Sequence, residues 1–181
     1  MRFFKNHSNI RKAIENQRPH LFRLAFSWCH NEQLAQDLVQ DTCVKALEKS
    51  EQLRDADKVA GWLTRILVNL HRDHLRRERE FVDIAELSLS GGGDPEKLVG
   101  SADTGAHVRS VIARLGEEQR KVLTLVDLSD FTYAEVARIM DIPIGTVMSR
   151  LCRARRQLKT LLEESQAASA ARTRPELRLI K

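Results

Sequence analysis

Arg65, Asn69, Arg72 and Arg76 follow one another at intervals of four, three and four residues. On a helix that spacing sets all four on one stripe. Trp62, three residues before Arg65, flanks the same stripe. An aromatic ring, an amide and a row of guanidinium groups suit a nucleic-acid strand whose bases are stacked or lifted out. Taken alone, Trp62 reads better as a core residue and the arginines as a solvated face. A second basic cluster follows a different pattern. Thr132 and Glu135 form a capping box, Asp141-Ile142-Pro143 breaks the helix it starts, and Gly145-Thr146 open another. A short capped helix, a tight turn and a second helix make a helix-turn-helix pattern. The first residues of such a second helix reach base edges. Gly145, Thr146, Ser149, Arg150, Arg153 and Arg156 are the candidates here, with Arg155 and Lys159 adding charge nearby. Arg grips a guanine edge or a phosphate with two donors, Thr and Ser bond either, and the helix start attracts phosphate. A third stripe has the opposite chemistry. Asp37, Gln40 and Asp41 share the polar side of one helix. They disfavour DNA and suit either solvent or a protein partner carrying Arg or Lys.

The elements that carry these groups are helical throughout. Ile10 and Ile14 start a weak apolar stripe, and Pro19 stands at a helix start before Leu21, Leu24, Ala25 and Trp28. His30-Asn31 makes a turn with Asn31 as a cap. From Glu32 the apolar positions Leu34, Ala35, Leu38, Val39, Thr42, Ala46 and Leu47 keep helical spacing. A further helix over 59–79 has the core stripe Leu63, Ile66, Leu67, Leu70 and His74. A second lobe begins near His107, with Val108, Val111, Ile112 and Leu115 on one short helix ended by Gly116. Glu117 and Glu118 open the next helix, where the dipole favours acids. The third carries Ala134, Val136, Ala137 and Ile139. The fourth runs over about 144–162 on Val147, Leu151, Ala154 and Leu158. Between the lobes, Ser88 to Pro95 holds three glycines and a proline and cannot continue a helix. The expected organisation is therefore all-α: a domain over 1–79, a linker over 80–106 with a short helical turn near Glu96–Val99, a domain over 107–164 and a disordered tail over 165–181.

Charge follows the same division. Residues 1–78 carry 14 Lys or Arg against 10 Asp or Glu, residues 79–106 carry 2 against 6, and residues 107–181 carry 14 against 9. Two basic ends suit a polyanion. The acidic middle does not. The 3 cysteines are odd in number and scattered, which excludes a disulfide framework and suits a reducing compartment. No apolar run of transmembrane length and no secretory signal are read, so the expected location is cytoplasmic. The histidines and cysteines show no metal-ligand spacing, and Gly91-Gly92-Gly93 lacks the Lys of a phosphate loop. No cofactor, metal or catalytic residue is expected.

Four segments in order carry a resemblance. They are Ala35-Gln36-Asp37-Leu38-Val39-Gln40-Asp41-Thr42, Gly61-Trp62-Leu63-Thr64-Arg65-Ile66-Leu67-Val68-Asn69, Thr132-Tyr133-Ala134-Glu135-Val136-Ala137, and Ile142-Pro143-Ile144-Gly145-Thr146-Val147-Met148-Ser149-Arg150-Leu151 with Arg153-Ala154-Arg155. Together they resemble the group 4, or extracytoplasmic-function (ECF), sigma factors of bacterial RNA polymerase. The resemblance implies two helical domains, regions 2 and 4, without the intervening region 3. It implies that Asp37, Gln40 and Asp41 dock on the clamp helices of the polymerase β′ subunit, with further contact to the β subunit. It implies that Trp62, Arg65, Asn69, Arg72 and Arg76, with the loop over about 50–58, read and melt the −10 element. The −35 element would be read as duplex from the helix that starts near Gly145, and the linker would thread the RNA exit path. Promoter DNA and an anti-sigma factor are the other partners implied. Met148 stands where the family often carries Lys or Arg. A stand-alone helix-turn-helix repressor or activator would explain the second lobe, but it leaves the acidic stripe and the Trp62–Asn69–Arg72 stripe unused.

Overall fold

The computed structural model describes residues 7–50, 53, 58–85 and 104–172. The described chain is all-α, in two helical clusters. The first holds α1 (His7–Cys29), α2 (Glu32–Glu48) and α3 (Val59–Ala85). The second holds α4 (Thr104–Ala113), α5 (Glu117–Leu123), a π-helical turn over Thr124–Leu128, α6 (Tyr133–Met140) and α7 (Ile144–Arg172). The expected linker is partly helical: residues 80–85 continue α3 and 104–106 open α4. The glycine-rich stretch and the turn expected near Glu96–Val99 lie outside the described residues.

Local chemistry accounts for most of the boundaries. Asn31 caps α2 by accepting the Leu34 N–H at 3.0 Å. The capping box of α6 is complete: Thr132 Oγ1 accepts the Glu135 N–H at 3.3 Å, and Glu135 Oε2 accepts the Thr132 N–H at 2.8 Å. Those bonds from Thr132 hold the Glu135 carboxyl below its ordinary pKa. Asp141 ends α6 in the left-handed region at φ 56°. The Pro143 carbonyl then accepts the Thr146 and Val147 N–H groups, starting α7.

Three expectations need correction. Pro19 does not start a helix but lies inside the continuous α1. An interior proline costs about 3 kcal/mol. The buried stripe Ile14, Leu21, Leu24, Ala25 and Trp28 runs past it on one face and offsets that cost. Leu47, read as part of the apolar spacing of the helix from Glu32, does not join its buried face and is 40% exposed. The helix α7 continues to Arg172, so residues 165–172 of the expected tail are helical. Lys159 and Glu163 pair across one turn at 3.9 Å, and the alanine-rich stretch beyond them favours helix. The remainder of the tail, 173–181, lies outside the described residues.

The α3 stripe is broader than its periodicity predicts. Leu63, Leu67 and Leu70 are buried as expected, but so are Val68 and His71, while Ile66 and His74 are half-buried. The cause is a second neighbour: α3 packs on α1 and α2 from one side and on α6 from the other.

The clusters join through a polar knot. The buried Trp28 indole N–H donates to Thr124 Oγ1 at 2.8 Å. The Thr124 hydroxyl faces the Arg120 carbonyl at 2.9 Å, one turn back where the π-turn begins. The Arg120 guanidinium donates to the carbonyls of Trp28 at 2.6 Å, Leu115 at 2.9 Å and Ala113 at 2.5 Å. Beside this knot, His71 packs on the Trp28 ring at 5.7 Å. Lys121 is fully buried there, bonded to Glu117 and 3.7 Å from Glu118. Burial and the Lys121 charge push the His71 pKa down to about 4, with His74 and Arg120 acting the same way and Glu117 opposing them. Burial raises the Glu117 carboxyl, but the Lys121 bond and charge, with His71 and Arg79, outweigh it and leave its pKa lowered.

Thr124→Val leaves the Trp28 N–H buried without an acceptor. It should cost about 1–3 kcal/mol in urea unfolding, and unchanged stability would remove the bond from the joint. The His71 imidazole titrates near pH 6.5 when unfolded and near 4 when folded. The unfolded chain therefore takes the proton first, so stability is full above about pH 6.5 and falls toward pH 4. The loss should reach at most about 1.4 kcal/mol per pH unit. His71→Gln should flatten that slope, and a slope it does not change belongs to another group.

Candidate nucleic-acid interface

The helix α7 is buried along Val147, Leu151, Ala154 and Leu161. Its opposite face is open. Gly145, Ser149, Arg153 and Arg156 are exposed at helical spacing, with Thr146 half-buried at the edge. Arg153 is braced along the helix, its Nε donating to the Ser149 carbonyl at 3.2 Å. The Ser149 hydroxyl donates to the Thr146 carbonyl at 3.1 Å. A serine and two guanidinium groups thus project from one side of a helix that follows a capped helix and a left-handed turn. This arrangement can bond phosphates and base edges together.

Arg150 is placed differently. It follows Val147 by three residues and precedes Ala154 by four, so it borders the buried stripe. It is half-buried and hydrogen-bonds Glu118 of α5. Arg155 is also engaged. It forms a two-bond pair with Asp127, Nη2 to Oδ1 at 2.5 Å and Nε to Oδ2 at 3.2 Å, which raises its pKa. That pair ties α7 to the π-turn. Met148 and Ile144 were absent from the expected set, yet they are 53% and 50% exposed at the start of α7. Their signal in the sequence is register: Met148 follows Gly145 by three residues and so borders the open face.

The α3 stripe divides in two. Arg65 and Asn69 are exposed one turn apart. Trp62 is half-buried and packs against the hydrophobic core with part of its ring system. Arg72 turns toward the second cluster, its Nη2 donating to the Met140 carbonyl at 2.9 Å and lying 3.9 Å from Glu118. Arg76 is exposed between Asp73 at 3.7 Å and Glu80 at 3.9 Å. Arg79 reaches Glu117 at 3.5 Å. Glu118 therefore faces one candidate from each helix, Arg72 of α3 and Arg150 of α7, across a cleft lined by Arg72, Arg76, Arg79, Glu117 and Glu118.

On α2, Asp37, Gln40 and Asp41 are all exposed. Asp37 accepts the Gln33 side-chain amide at 3.2 Å. Val44 and Leu47 continue this surface, 48% and 40% exposed. Val44 follows Gln40 by four residues and Asp41 by three, which is the signal that extends the stripe. An acidic strip with an apolar end repels a nucleic-acid backbone and can accept basic and apolar side chains. The thiols of Cys29 and Cys43 have pKa values raised by burial, which keeps both protonated and weakly nucleophilic.

Among the described residues, no helix is long and apolar enough to cross a membrane. Residues 13–81 match the sequence profile of sigma-70 region 2, and residues 107–158 match that of sigma-70 region 4. The ECF RNA polymerase sigma factor EcfG of Rhodopseudomonas palustris is 34% identical over 159 residues, covering 85% of each chain. The RNA polymerase sigma-H factor of Pseudomonas aeruginosa is 31% identical over 152 residues, 77% of this chain and 79% of that one. The sigma factor RpoE of Bartonella quintana, solved in complex with the anti-sigma factor NepR, superposes with a TM-score of 0.73 at 29% identity, over 86% of this chain and 97% of that one.

Proposed function

The chain belongs to the ECF sigma factors of the sigma-70 family, which direct RNA polymerase to promoters, and from that premise we propose how its helical clusters divide the work. The domain over 107–164 reads the −35 element as duplex, with α7 in the major groove. Gly145 and Thr146 approach the backbone there, while Ser149, Arg153 and Arg156 supply phosphate and base contacts. The domain over 1–79 engages the −10 element through Arg65, Asn69, Arg72 and Arg76, with Trp62 at the edge of that face. Lifting a base from the stack costs a few kcal/mol, which strand contacts must offset. The segment over 80–106 spans the two domains.

The observation that carries the −35 assignment is the open face of α7. Ser149, Arg153 and Arg156 are exposed directly after the Thr132–Glu135 capping box and the left-handed turn at Asp141. Arg72 and Arg150 enter the same scheme on different terms. Each faces Glu118, so contact with DNA exchanges a carboxylate for a phosphate or a base edge. A guanidinium group fits all three.

The acidic strip of α2 is the polymerase contact. Asp37, Gln40 and Asp41 meet basic residues of the β′ clamp helices, and Val44 and Leu47 add apolar area beside them. The β subunit is the second polymerase contact. The relative RpoE has been solved with its anti-sigma factor, and the likeness to it supports such a partner for this chain, acting in the cytoplasm with the polymerase.

Transcription from a genomic DNA library with core polymerase, with and without this chain, tests the whole scheme. Discrete new 5′ ends that need both components are expected, and none from active components would overturn it. Arg153→Ala should weaken binding to the −35 duplex by about 1–3 kcal/mol, read by competition with unlabelled duplex. Asp41→Arg should impair capture by core polymerase while the circular-dichroism spectrum stays helical; undiminished capture would remove Asp41 from the docking surface.

A further inference from the structure

Exposed large apolar side chains are few among the described residues, and two of them stand one turn apart at the start of α7. Ile144 is 50% exposed and Met148 is 53% exposed. Neither supports the packing of its own helix, which buries Val147, Leu151 and Ala154 instead. Met148 follows Gly145 by three residues and precedes Cys152 by four, and both of those are exposed. It therefore borders the face that presents Ser149 and Arg153. The approach beside it is open: a Cβ built on Gly145 would meet nothing within 4 Å.

A ligand that fits this face must be anionic where it meets Arg153 and Arg156, hydrogen-bonding where it meets Ser149, and apolar where it meets Met148. Duplex DNA offers all three within one major groove. Phosphates line the rim, base edges form the floor, and the single apolar group on those edges is the C5-methyl of thymine. An apolar protein surface would match Met148 and Ile144 but would leave two neighbouring guanidinium groups without an anion. We infer that Met148, flanked by Ile144, is a specificity-determining residue that selects thymine at one position of the duplex element by covering its C5-methyl group. This rests on the proposed entry of α7 into the major groove of the −35 element. It adds a contact that arginine and serine cannot make, because removing a methyl from water needs an apolar partner.

The test uses the full chain bound to core polymerase. Duplexes randomised over the −35 window are selected with the wild-type protein, Met148→Ala, Met148→Leu and Arg153→Ala. Each enriched thymine is then replaced by deoxyuridine, which removes the C5-methyl and nothing else. With the wild-type protein, deoxyuridine at one position should weaken binding about fourfold, the factor for burying one methyl-sized group. Met148→Ala should lose both the thymine preference there and the sensitivity to deoxyuridine, and Met148→Leu should keep both. Two results overturn the inference: no methyl-sensitive thymine in the wild-type protein, or the same sensitivity in Met148→Ala. Arg153→Ala then tells which idea has failed. If it alters the selected sequence, α7 remains the duplex reader and the apolar pair belongs to a protein surface. If it too leaves the selection unchanged, the placement of α7 on the −35 element fails with it.

Discussion

At the centre of the joint between the two clusters lies one buried hydrogen bond, from the Trp28 indole to Thr124. A tryptophan contributes a large apolar surface, but its N–H must find an acceptor when water is excluded. Here the acceptor comes from the other cluster. The same Thr124 hydroxyl turns back on the Arg120 carbonyl, and the Arg120 side chain returns to the Trp28 carbonyl. Three residues thus close a cycle between α1 and α5. Its geometry is directional, unlike apolar contact, so it sets how the clusters are turned as well as that they touch.

That orientation has electrostatic consequences. Glu117 and Glu118 sit in the first turn of α5, where the helix dipole already favours anions. They collect cations from three directions: Lys121 from their own helix, Arg150 from α7 within the same cluster, and Arg72 and Arg79 from α3 across the joint. A fully buried lysine is tolerable only with such partners. Burial, reinforced by that charge, keeps the neighbouring His71 neutral. One acidic pair therefore governs both the interior charge balance and the placement of Arg72 and Arg150.

Exposed apolar groups separate the two outer surfaces by character. On α2, Val44 and Leu47 extend an acidic strip; on α7, Ile144 and Met148 border a basic one. The same kind of side chain serves different ends in those two settings. Beside carboxylates it suits a cationic protein surface, and beside guanidinium groups it suits an anionic ligand that also carries an apolar group.

By itself the sequence determined the local rules. Asn31 as a cap, Thr132 with Glu135 as a capping box, Asp141-Ile142-Pro143 as a break and the apolar period of α2 and α7 are all set by neighbours within a turn or two. The open face of α7 and the acidic strip of α2 follow from spacing alone, because a helix fixes which residues share a side. Contacts between elements distant in the chain were decided only by the tertiary structure. Leu47 satisfies the helical period yet faces outward, and Pro19 interrupts it yet lies within α1. Packing across the cluster outweighs about 3 kcal/mol of local preference. His71 is buried because α3 meets a second cluster, and Arg72 reaches Glu118 across that joint to meet Arg150, which is placed by the packing of α7 on α5. Helical periodicity shows which side of a helix is apolar. It does not show what lies opposite the other side, since that depends on chain-distant surfaces brought together by burial and by directional bonds such as those of Trp28, Arg120 and Arg72.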